Sequence, residues 1–329
     1  WTGDGNSTQA ISGIGHQPDL VWIKNRNLSS GPNLFFDSVR GTNKALVANN
    51  TNAEASVSGY LNSFDSDGFT VGNDGAVNGS GDTYVSWNWK AGGSASSNSD
   101  GSITSSVSAN TTAGFSIATF TTSSGSSDTI GHGLGVAPSV VICKATSASD
   151  DWFVFHESLG ATKRTRLNLT NVTDTNTIWN DTAPTSSVFS LRLTNFGTSR
   201  SGVAYCFAEK KGFSKFGSYS SINSHDSNFV YLGFKPAMII FKNTSYSGGS
   251  DWNILDRTRY TFNSSSEAVL EPNTNDAENY SAFGEVDFLS NGFKIRNNNG
   301  VSSGGYDHIY MAFAEAPFVS SKGIPTTAR

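Results

Sequence analysis

The side chains that could perform acid–base or nucleophilic chemistry do not form a recognisable motif in this sequence. Five histidines are scattered along the chain, at His16, His132, His156, His225 and His308. Two of them, His16 and His132, follow a glycine in the turn before a proline-led strand, where bracing a loop is favoured over catalysis. No G-x-S-x-G, H-E-x-x-H or C-x-x-C pattern occurs, so the sequence predicts neither a serine nucleophile nor a zinc site.

Acidic residues offer two further possibilities. Asp65-Ser66-Asp67-Gly68 begins like a calcium-binding loop, but the later oxygen ligands and the closing Glu are missing, so a plain turn is favoured. Glycoside hydrolysis needs two opposed carboxylates. Glu209 and Glu315 recur in two Phe-Ala-Glu strings, and a recurring position usually serves the fold. We therefore predict a protein that is not an enzyme and that binds no metal and no cofactor.

The tryptophans indicate a binding function instead. Rings that stack on sugar faces, with amides, acids and hydroxyls beside them, are a usual way for a β-sandwich to hold glycans. Trp179 is followed by an amide and an acid and is predicted to be the most exposed ring. Trp152 and Trp252 each follow an aspartate, and for them core packing is slightly favoured while exposure stays open. The predicted glycan-binding residues are Trp179, Trp152 and Trp252, in that order.

The framework that positions these residues is a pattern that occurs three times. Each copy begins with a proline, an apolar run and a lysine, in PDLVWIK, PSVVICK and PAMIIFK, which start at Pro18, Pro138 and Pro236. A turn and a strand follow, with Phe69, Phe189 and Phe293 at equivalent places. A closing apolar run carries Trp89, Phe207 and Phe313, which are predicted to be buried. Because a repeat determines the architecture before any local feature does, we predict three equivalent units.

The repeats divide the chain into five parts: a first repeat over 1–93, a Ser/Asn-rich connector over 94–112, a second repeat over 113–211, a third over 212–318 and a C-terminal tail over 319–329. The second and third repeats are contiguous and are expected to share a tight interface, with the first held more loosely. Both start with Gly-Phe-Ser, 24 residues before their proline, whereas only 17 residues precede Pro18. We expect an upstream segment to supply the missing strand start.

Composition favours an all-β fold. Aromatic residues make up 12% and glycines number 34, whereas strong helix formers are sparse. We predict three tandem antiparallel β-sandwich repeats of the jelly-roll or concanavalin-like kind. The net charge of −5 and the absence of a long apolar run exclude nucleic acid and a membrane as expected partners. For Cys143 and Cys206, two free buried thiols are favoured over a disulfide.

Longer strings resemble a family of repeat proteins in marine bacteriophages. The first repeat carries QPDLVWIKNR (17–26), FFDSVRGTNKAL (35–46), SFDSDGFTVG (63–72) and YVSWNWKAGG (84–93). IGHGLGVAPSVVICK, AYCFAEKKGFSKFGSY, FLSNGFKIR and YMAFAEAPF are similar to its later repeats. Members are described as tail-fibre-like or structural virion proteins, and some are compared with concanavalin-like or SPRY-like sandwiches. The family supplies no catalytic residues.

The resemblance implies a non-enzymatic virion structural protein, the distal part of a tail or head fibre on the virion surface. Its expected partners are other virion proteins, reached through the upstream segment, and host-cell glycans; a homotrimer is expected by analogy with fibres. Two alternatives stay open. A secreted or cell-surface bacterial lectin-like adhesin would share this chemistry in an extracellular location, and a glycan depolymerase would need two carboxylates in a groove.

Overall fold

The computed structural model describes residues 1–259, 268–279, 285–296 and 304–315. Within these ranges the chain forms 25 strands and two helices of four residues each. The main strand pairs are antiparallel, so the all-β prediction is confirmed. Among the described residues, no helix is long and apolar enough to cross a membrane.

The first repeat packs a larger sheet against a smaller one. Its strands are β1 (Gln9–Ser12), β2 (Leu20–Asn25), β3 (Asn33–Asp37), β4 (Lys44–Val47), β5 (Ala55–Ser56), β6 (Leu61–Asp65), β7 (Gly68–Val71) and β8 (Tyr84–Trp89). The larger sheet has the order β5-β4-β3-β2-β8 and the smaller β1-β7-β6. Helix α1 (Gly75–Asn78) is capped by Asp74, whose carboxylate accepts a hydrogen bond from the N–H of Ala76.

The second repeat is extended by the connector. The connector forms β9 (Ser96–Asn98) and β10 (Ser105–Asn110), and the repeat forms β11 (Phe115–Thr121), β12 (Ser127–Gly131), β13 (Val140–Ala145), β14 (Trp152–His156), β15 (Lys163–Arg166), β16 (Asp174–Thr175), β17 (Val188–Arg192), α2 (Leu193–Phe196) and β18 (Ser201–Phe207). The sheets are β16-β15-β14-β13-β18-β11-β10-β9 and β12-β17. Because β10 pairs with β11, part of the predicted connector is an edge of this sheet.

The third repeat has the same arrangement. Its described strands are β19 (Ser214–Ser220), β20 (Phe229–Tyr231), β21 (Pro236–Asn243), β22 (Trp252–Asp256), β23 (Val286–Leu289), β24 (Gly292–Ile295) and β25 (Asp307–Ala314). They form the sheets β19-β25-β21-β22 and β20-β24-β23. The tail predicted over 319–329 lies outside the described residues.

The strand order recurs from repeat to repeat. In each larger sheet the closing strand (β8, β18 or β25) pairs with the proline-led strand (β2, β13 or β21). In each smaller sheet a phenylalanine pairs with a residue of β1, β12 or β20, and these phenylalanines are Phe69, Phe189 and Phe293. The three phenylalanines therefore occupy equivalent places, as the aligned sequence pattern predicts, and all three are fully buried.

The proline-led strands are apolar along their whole length because both of their faces are buried. In β2, Val21 and Ile23 face the core of the first repeat, whereas Leu20 and Trp22 face a second core to which all three repeats contribute. The same alternation occurs in β13 and β21. A strand covered on both sides is expected to show a continuous apolar run.

This second core, hereafter the shared core, contains three aromatic rings in mutual contact, one from each closing strand. The ring centroid of Trp89 lies 5.9 Å from that of Phe207 and 5.6 Å from that of Phe313, and the two phenylalanines are 6.0 Å apart. All three contacts are edge-to-face, which the ring quadrupoles favour. The predicted burial is confirmed. The expectation that the first repeat is held loosely is wrong, because its strands β2 and β8 form part of the shared core.

The shared core receives a tryptophan from the first two strands of each larger sheet's proline-led hairpin, although the repeats differ in sequence. Trp152 and Trp252 begin β14 and β22, and each indole N–H donates to a backbone carbonyl of the preceding repeat. The first repeat has Asn33 at this place and carries its large ring on the adjacent strand, at Trp22. The Trp22 indole donates to Asn33 Oδ1 at 3.3 Å. The large ring has therefore moved by one strand, while the hydrogen bond to the neighbouring repeat stays with Asn33, whose Nδ2 donates to the carbonyls of Glu271 and Thr274.

Buried lysines connect the repeats in a cyclic order. The proline-led strands carry Lys24, Lys144 and Lys242 at or near their ends, and all three side chains are fully buried. Each ammonium donates to a carbonyl of another repeat, namely Thr274 for Lys24, Thr51 for Lys144 and Thr170 for Lys242. Each also donates to a carbonyl of its own repeat. Burial lowers the pKa of each lysine to about 8.

Replacing Phe207 by Ala is expected to lower the free energy of unfolding by about 3–5 kcal/mol, since the ring is lost from a core that three repeats share. Because that core is common, unfolding should remain one transition. Urea unfolding followed by tryptophan fluorescence and by circular dichroism measures both quantities. Phe229→Ala is the control, because the Phe229 ring is 46% exposed and its loss should change little. Separate transitions for separate repeats would contradict the expectation.

Stability is expected to rise between about pH 8 and 9. In that range the three lysines lose their protons in the folded protein, where their pKa is about 8, but keep them in the unfolded chain, where it is 10.5. The unfolded state then binds more protons, so the free energy of unfolding increases with pH. The increase in stability ends at higher pH, because burial raises the pKa of Cys206 from 9.0 and that of Tyr205 from 10.0. Above these values the unfolded chain loses protons that the folded protein keeps, and this lowers the free energy of unfolding.

The measurement is urea unfolding at a series of pH values. Lys144→Met should remove about one third of the rise, since it removes one of three equivalent groups. Its lower starting stability does not matter, because the slope with pH is the quantity compared. A wild-type stability that is constant or falls between pH 8 and 9 would show that the lysines do not titrate in this way.

Candidate functional site

Three grooves run along the contacts between repeats. Groove A lies between the second and third repeats and has a volume of 510 Å³. Groove B lies between the first and second and measures 670 Å³. Groove C lies between the third and first and measures 650 Å³. Their linings differ in chemistry, so they do not offer the same kind of site.

Groove A is lined mainly by hydroxyl groups. Alternate residues of β19 place Ser218 and Ser220 on one wall, and the start of β25 adds Asp307. Ser220 Oγ donates to Asp307 Oδ1 at 2.5 Å. The opposite wall, from the second repeat, includes Lys163 and Thr173. Donors and acceptors on both walls suit a ligand that carries several hydroxyl groups.

An aromatic ring lies at the rim of groove A. Tyr219 lies between Ser218 and Ser220 on β19 and faces the core of the third repeat instead, where its ring stacks on that of His308 with centroids 4.9 Å apart. At the rim, Tyr246 follows the lining residue Ser245, and its ring lies 5.0 Å from that of Tyr306. Tyr246 is 42% exposed, so part of its ring is accessible. An accessible ring beside a hydroxyl-lined groove is an arrangement that can hold a sugar.

Backbone contacts keep the wall of groove A in place. The N–H of Thr244 and its Oγ1 both donate to the carbonyl of Asp307, and the N–H of Asp307 donates to Ser245 Oγ. Thr173 donates through its Oγ1 to the carbonyl of Thr244, which joins the two repeats at this point. The groove is therefore formed in the free protein and needs no rearrangement to receive a ligand.

Groove B is lined differently. Strand β10 and the residues before it contribute to its wall, including Ile103 and Ser105. Across the groove, Arg40 pairs with Glu54 at 3.0 Å. The Arg40 guanidinium also pairs with Asp37 at 2.6 Å and donates to the Tyr205 hydroxyl, so it is committed to the contact between repeats. Groove B also carries hydroxyl side chains, among them Ser97, Thr104 and Thr146, but unlike groove A it contains this buried ion-pair network.

The tryptophans predicted to bind glycans do not line any of these grooves. Trp179 is 1% exposed and lies in the core of the second repeat, where its ring meets Phe155 edge-to-face at 5.7 Å. The expectation that Trp179 is exposed is wrong, because its polar neighbours in sequence belong to a turn while the ring points inward. Trp152 and Trp252 are 0% and 2% exposed in the shared core. None of the three rings offers a face to a sugar.

Other candidate residues have structural roles. His132 braces a loop, as predicted: Nε2 contacts the carbonyl of Thr185 at 3.1 Å and Nδ1 accepts from the N–H of Leu134. Asp65 to Gly68 form the turn between β6 and β7, and Asp65 accepts from Ser63 and Thr70. No cluster of metal-ligating side chains occurs in the part of the chain that the structure describes.

The two cysteines are free and buried, which confirms the prediction. They lie on neighbouring strands β13 and β18 in the core of the second repeat. Burial raises the pKa of Cys206 to about 12 and that of Cys143 well above its ordinary value. Neither thiol is therefore a nucleophile at neutral pH.

The recurring glutamates differ in their surroundings. Glu315 pairs with Lys235 at 3.0 Å and with Arg257. Burial raises the pKa of its counterpart Glu209, and the nearby carboxylate of Glu157 adds to this effect. Glu157 is near enough to Glu209 to affect its pKa, but neither of these two acids lines groove A. Their position does not offer an acid pair across a hydroxyl-lined groove.

A family model described as a domain of unknown function, DUF7483, matches residues 1–317. The chain belongs to this family. No curated protein and no solved structure matches it. The architecture and the grooves of this DUF7483 member are therefore described from its own residues.

Sequence reasoning missed groove A because its residues are single serines, threonines and tyrosines in a chain rich in them. One signal could have found it. At the start of the closing strand the second repeat has Ser201-Gly202, whereas the third has Asp307-His308 preceded by Tyr306. A polar and aromatic departure from a repeated pattern marks a position that the fold does not require.

Trp179→Ala is expected to lower the free energy of unfolding of this DUF7483 member by about 3–5 kcal/mol, as for other buried aromatic rings. Glycan binding per folded molecule should be unchanged. Urea unfolding and a binding assay at equal folded concentration check the two statements. Loss of glycan binding without loss of stability would reinstate Trp179 as a ligand residue.

Proposed function

We propose that this DUF7483 member is a non-enzymatic structural protein of a virion surface, the distal part of a tail or head fibre, and that groove A binds host-cell glycans. The observation that carries the binding function is the combination of Ser218, Ser220 and Asp307 in one groove with the exposed ring of Tyr246, which directly follows the lining residue Ser245. Hydroxyl and carboxylate groups orient a sugar, and a ring next to them covers its apolar face.

The low charge of the chain supports a neutral ligand. Charged residues are 15% of the sequence, and groove A includes Lys163 and Asp307, which carry opposite charges. Binding through hydrogen bonds and ring contact rather than through net charge should depend little on salt. A neutral or weakly charged oligosaccharide is the ligand class that fits this lining.

The virion assignment is supported by the resemblance of the repeated strings to phage structural proteins and by the way the three repeats share one core. A chain whose repeats are packed into one body suits a fibre end, which must present a site without moving relative to its shaft. We extend the proposal to a homotrimer and to other virion proteins as partners, in keeping with fibres in general.

Two alternatives differ in ways that can be measured. A lectin-like adhesin would use groove A identically but would reside on a bacterial cell. A depolymerase would use Glu157 and Glu209, since the nearby Glu157 and burial together raise the pKa of Glu209. Release of shortened oligosaccharides from a bound glycan, abolished by Glu209→Gln, would favour the enzyme over the proposal.

Binding to an array of immobilised glycans tests the site. Asp307→Asn should weaken the binding of any glycan recognised by the wild type by about tenfold or more, because a hydrogen bond to a charged group contributes about 1.5–3 kcal/mol. Tyr246→Ala should weaken it by a smaller factor, because it removes a ring contact worth about 0.5–1.5 kcal/mol. Tyr231→Ala is the matched control, because this tyrosine is 60% exposed and neither lines groove A nor is next to a lining residue in the sequence. Equal binding by all variants would exclude groove A.

Location is tested separately. Antibodies against the purified chain should label one end of virions in electron micrographs. Labelling of bacterial cells in place of particles would support the adhesin alternative, and absence from both would refute the surface assignment.

A further inference from the structure

Within the described residues, the edge of β8 that faces groove C has only part of the strand partner that its counterparts have. Strand β18 pairs with β11 over seven residues, and β25 pairs with β19 over seven. Among the described residues, the same edge of β8 pairs only at its beginning. There the N–H of Tyr84 donates to the carbonyl of Trp1 at 2.9 Å, and the amino group of Trp1 donates to the carbonyl of Tyr84 at 3.1 Å.

Trp1 occupies the place of a strand residue. Its ring meets Phe69 edge-to-face at 5.7 Å, just as Phe120 of β11 meets Phe189 and Tyr219 of β19 meets Phe293, each at 6.2 Å. Thr2 continues the ladder through a bridge to Thr83. Trp1 and Thr2 therefore form the start of a strand that pairs with β8. Because the pairing is antiparallel, any residue bonded to the amino group of Trp1 would lie beside β8 in the direction of Trp89.

The open part of β8 has backbone groups ready for such a partner. In an antiparallel strand alternate residues face the same neighbour, so Ser86 and Asn88 face the edge that Tyr84 faces. Their counterparts in β18, Ala204 and Cys206, face Ala118 and Ser116 of β11. In addition, Asn88 Oδ1 is buried and has no hydrogen-bond partner among the described residues. A buried acceptor of this kind is costly unless a donor satisfies it.

The side of groove C toward the shared core has room for apolar side chains. In the second repeat, Phe115 of β11 contacts Phe207 at 4.9 Å and the neighbouring repeat's Trp89 at 6.4 Å. In the third, Phe216 of β19 contacts Phe313 at 5.7 Å and Phe207 at 6.3 Å. The cyclic equivalent in the first repeat would lie beside Trp89 and Phe313. Those two rings line groove C instead.

We propose that groove C is a strand-binding site, filled by an extended segment of at least five residues joined to the amino group of Trp1. Trp1 corresponds to Phe120 of β11 and to Tyr219 of β19. Ile117 and Phe115 lie three and five residues before Phe120, and Phe216 lies three residues before Tyr219; all three face the shared core. The third and fifth residues before Trp1 would therefore carry apolar side chains. The segment pairs with Ser86 and Asn88 and completes the ring of aromatic contacts around the shared core. This is β-strand addition to an exposed sheet edge.

The test extends the 329-residue chain at Trp1 with Gly-Phe-Ser-Ile-Ala-Thr, the sequence of residues 114–119. The melting temperature should rise by several degrees, and hydrogen exchange of the Ser86 and Asn88 amides should slow by about tenfold or more, since they gain ladder bonds. The matched control carries Asp in place of Phe and Ile, and should give neither effect. A second control places Pro at the positions that must donate to Ser86 and Asn88.

Other occupants give different results, and each would overturn the proposal. If the amides of Ser86 and Asn88 are already protected in the unextended chain and lose that protection on truncation after Glu315, the C-terminal residues fill the groove. Protection that increases with protein concentration would indicate a second copy of the chain. Equal effects of the extension and of its Asp control would show that groove C does not select a strand with apolar side chains.

Discussion

The contact among Trp89, Phe207 and Phe313 determines the architecture. Each ring lies at or next to the end of the closing strand of one repeat, and each touches the other two at centroid distances between 5.6 and 6.0 Å. A strand that delivers a ring to this point must turn one face to its own sandwich and the other to the shared core. The larger sheets are therefore buried on both sides, and each repeat would expose an apolar face if it stood alone. A contiguous apolar face of that size is unfavourable in a monomer.

The polar contacts between repeats determine how the repeats are aligned more than how strongly they are held together. Transferring a lysine into the interior is unfavourable, as the lowered pKa of Lys24, Lys144 and Lys242 indicates. Each ammonium meets carbonyls of two repeats, so the interface accepts one alignment and penalises others. The Arg40–Asp37–Tyr205 contact has the same effect between the first two repeats. Apolar packing thus supplies most of the driving force, and buried polar groups select the geometry.

At positions where the three repeats differ in sequence, the common fold does not require a particular side chain, and these positions can serve binding. The shared core tolerates the exchange of Trp22 and Asn33 for an aliphatic residue and a tryptophan because each arrangement keeps one large ring and one hydrogen bond to the neighbouring repeat. The grooves show no such conservation of chemistry: groove A is rich in hydroxyls, groove B is crossed by the connector strands, and groove C borders an open sheet edge. One packing scheme therefore presents three different surfaces.

The sequence by itself determined the all-β fold class, the equivalent places of Phe69, Phe189 and Phe293, and the burial of Trp89, Phe207 and Phe313, because strand periodicity and recurring strings are local properties of the chain. It also indicated two free cysteines and the loop-bracing role of His132. It could not determine which faces meet. An apolar run such as Val140 to Cys143 reads the same whether one core or two cover it, so the shared core was missed and the first repeat was expected to be loose. Trp179 was misplaced for a related reason, since polar neighbours in a turn do not reveal where a ring points. Groove A exists only because β19, β25 and the loop around Thr173 come from two repeats and meet in space, and that meeting depends on contacts far apart in the chain.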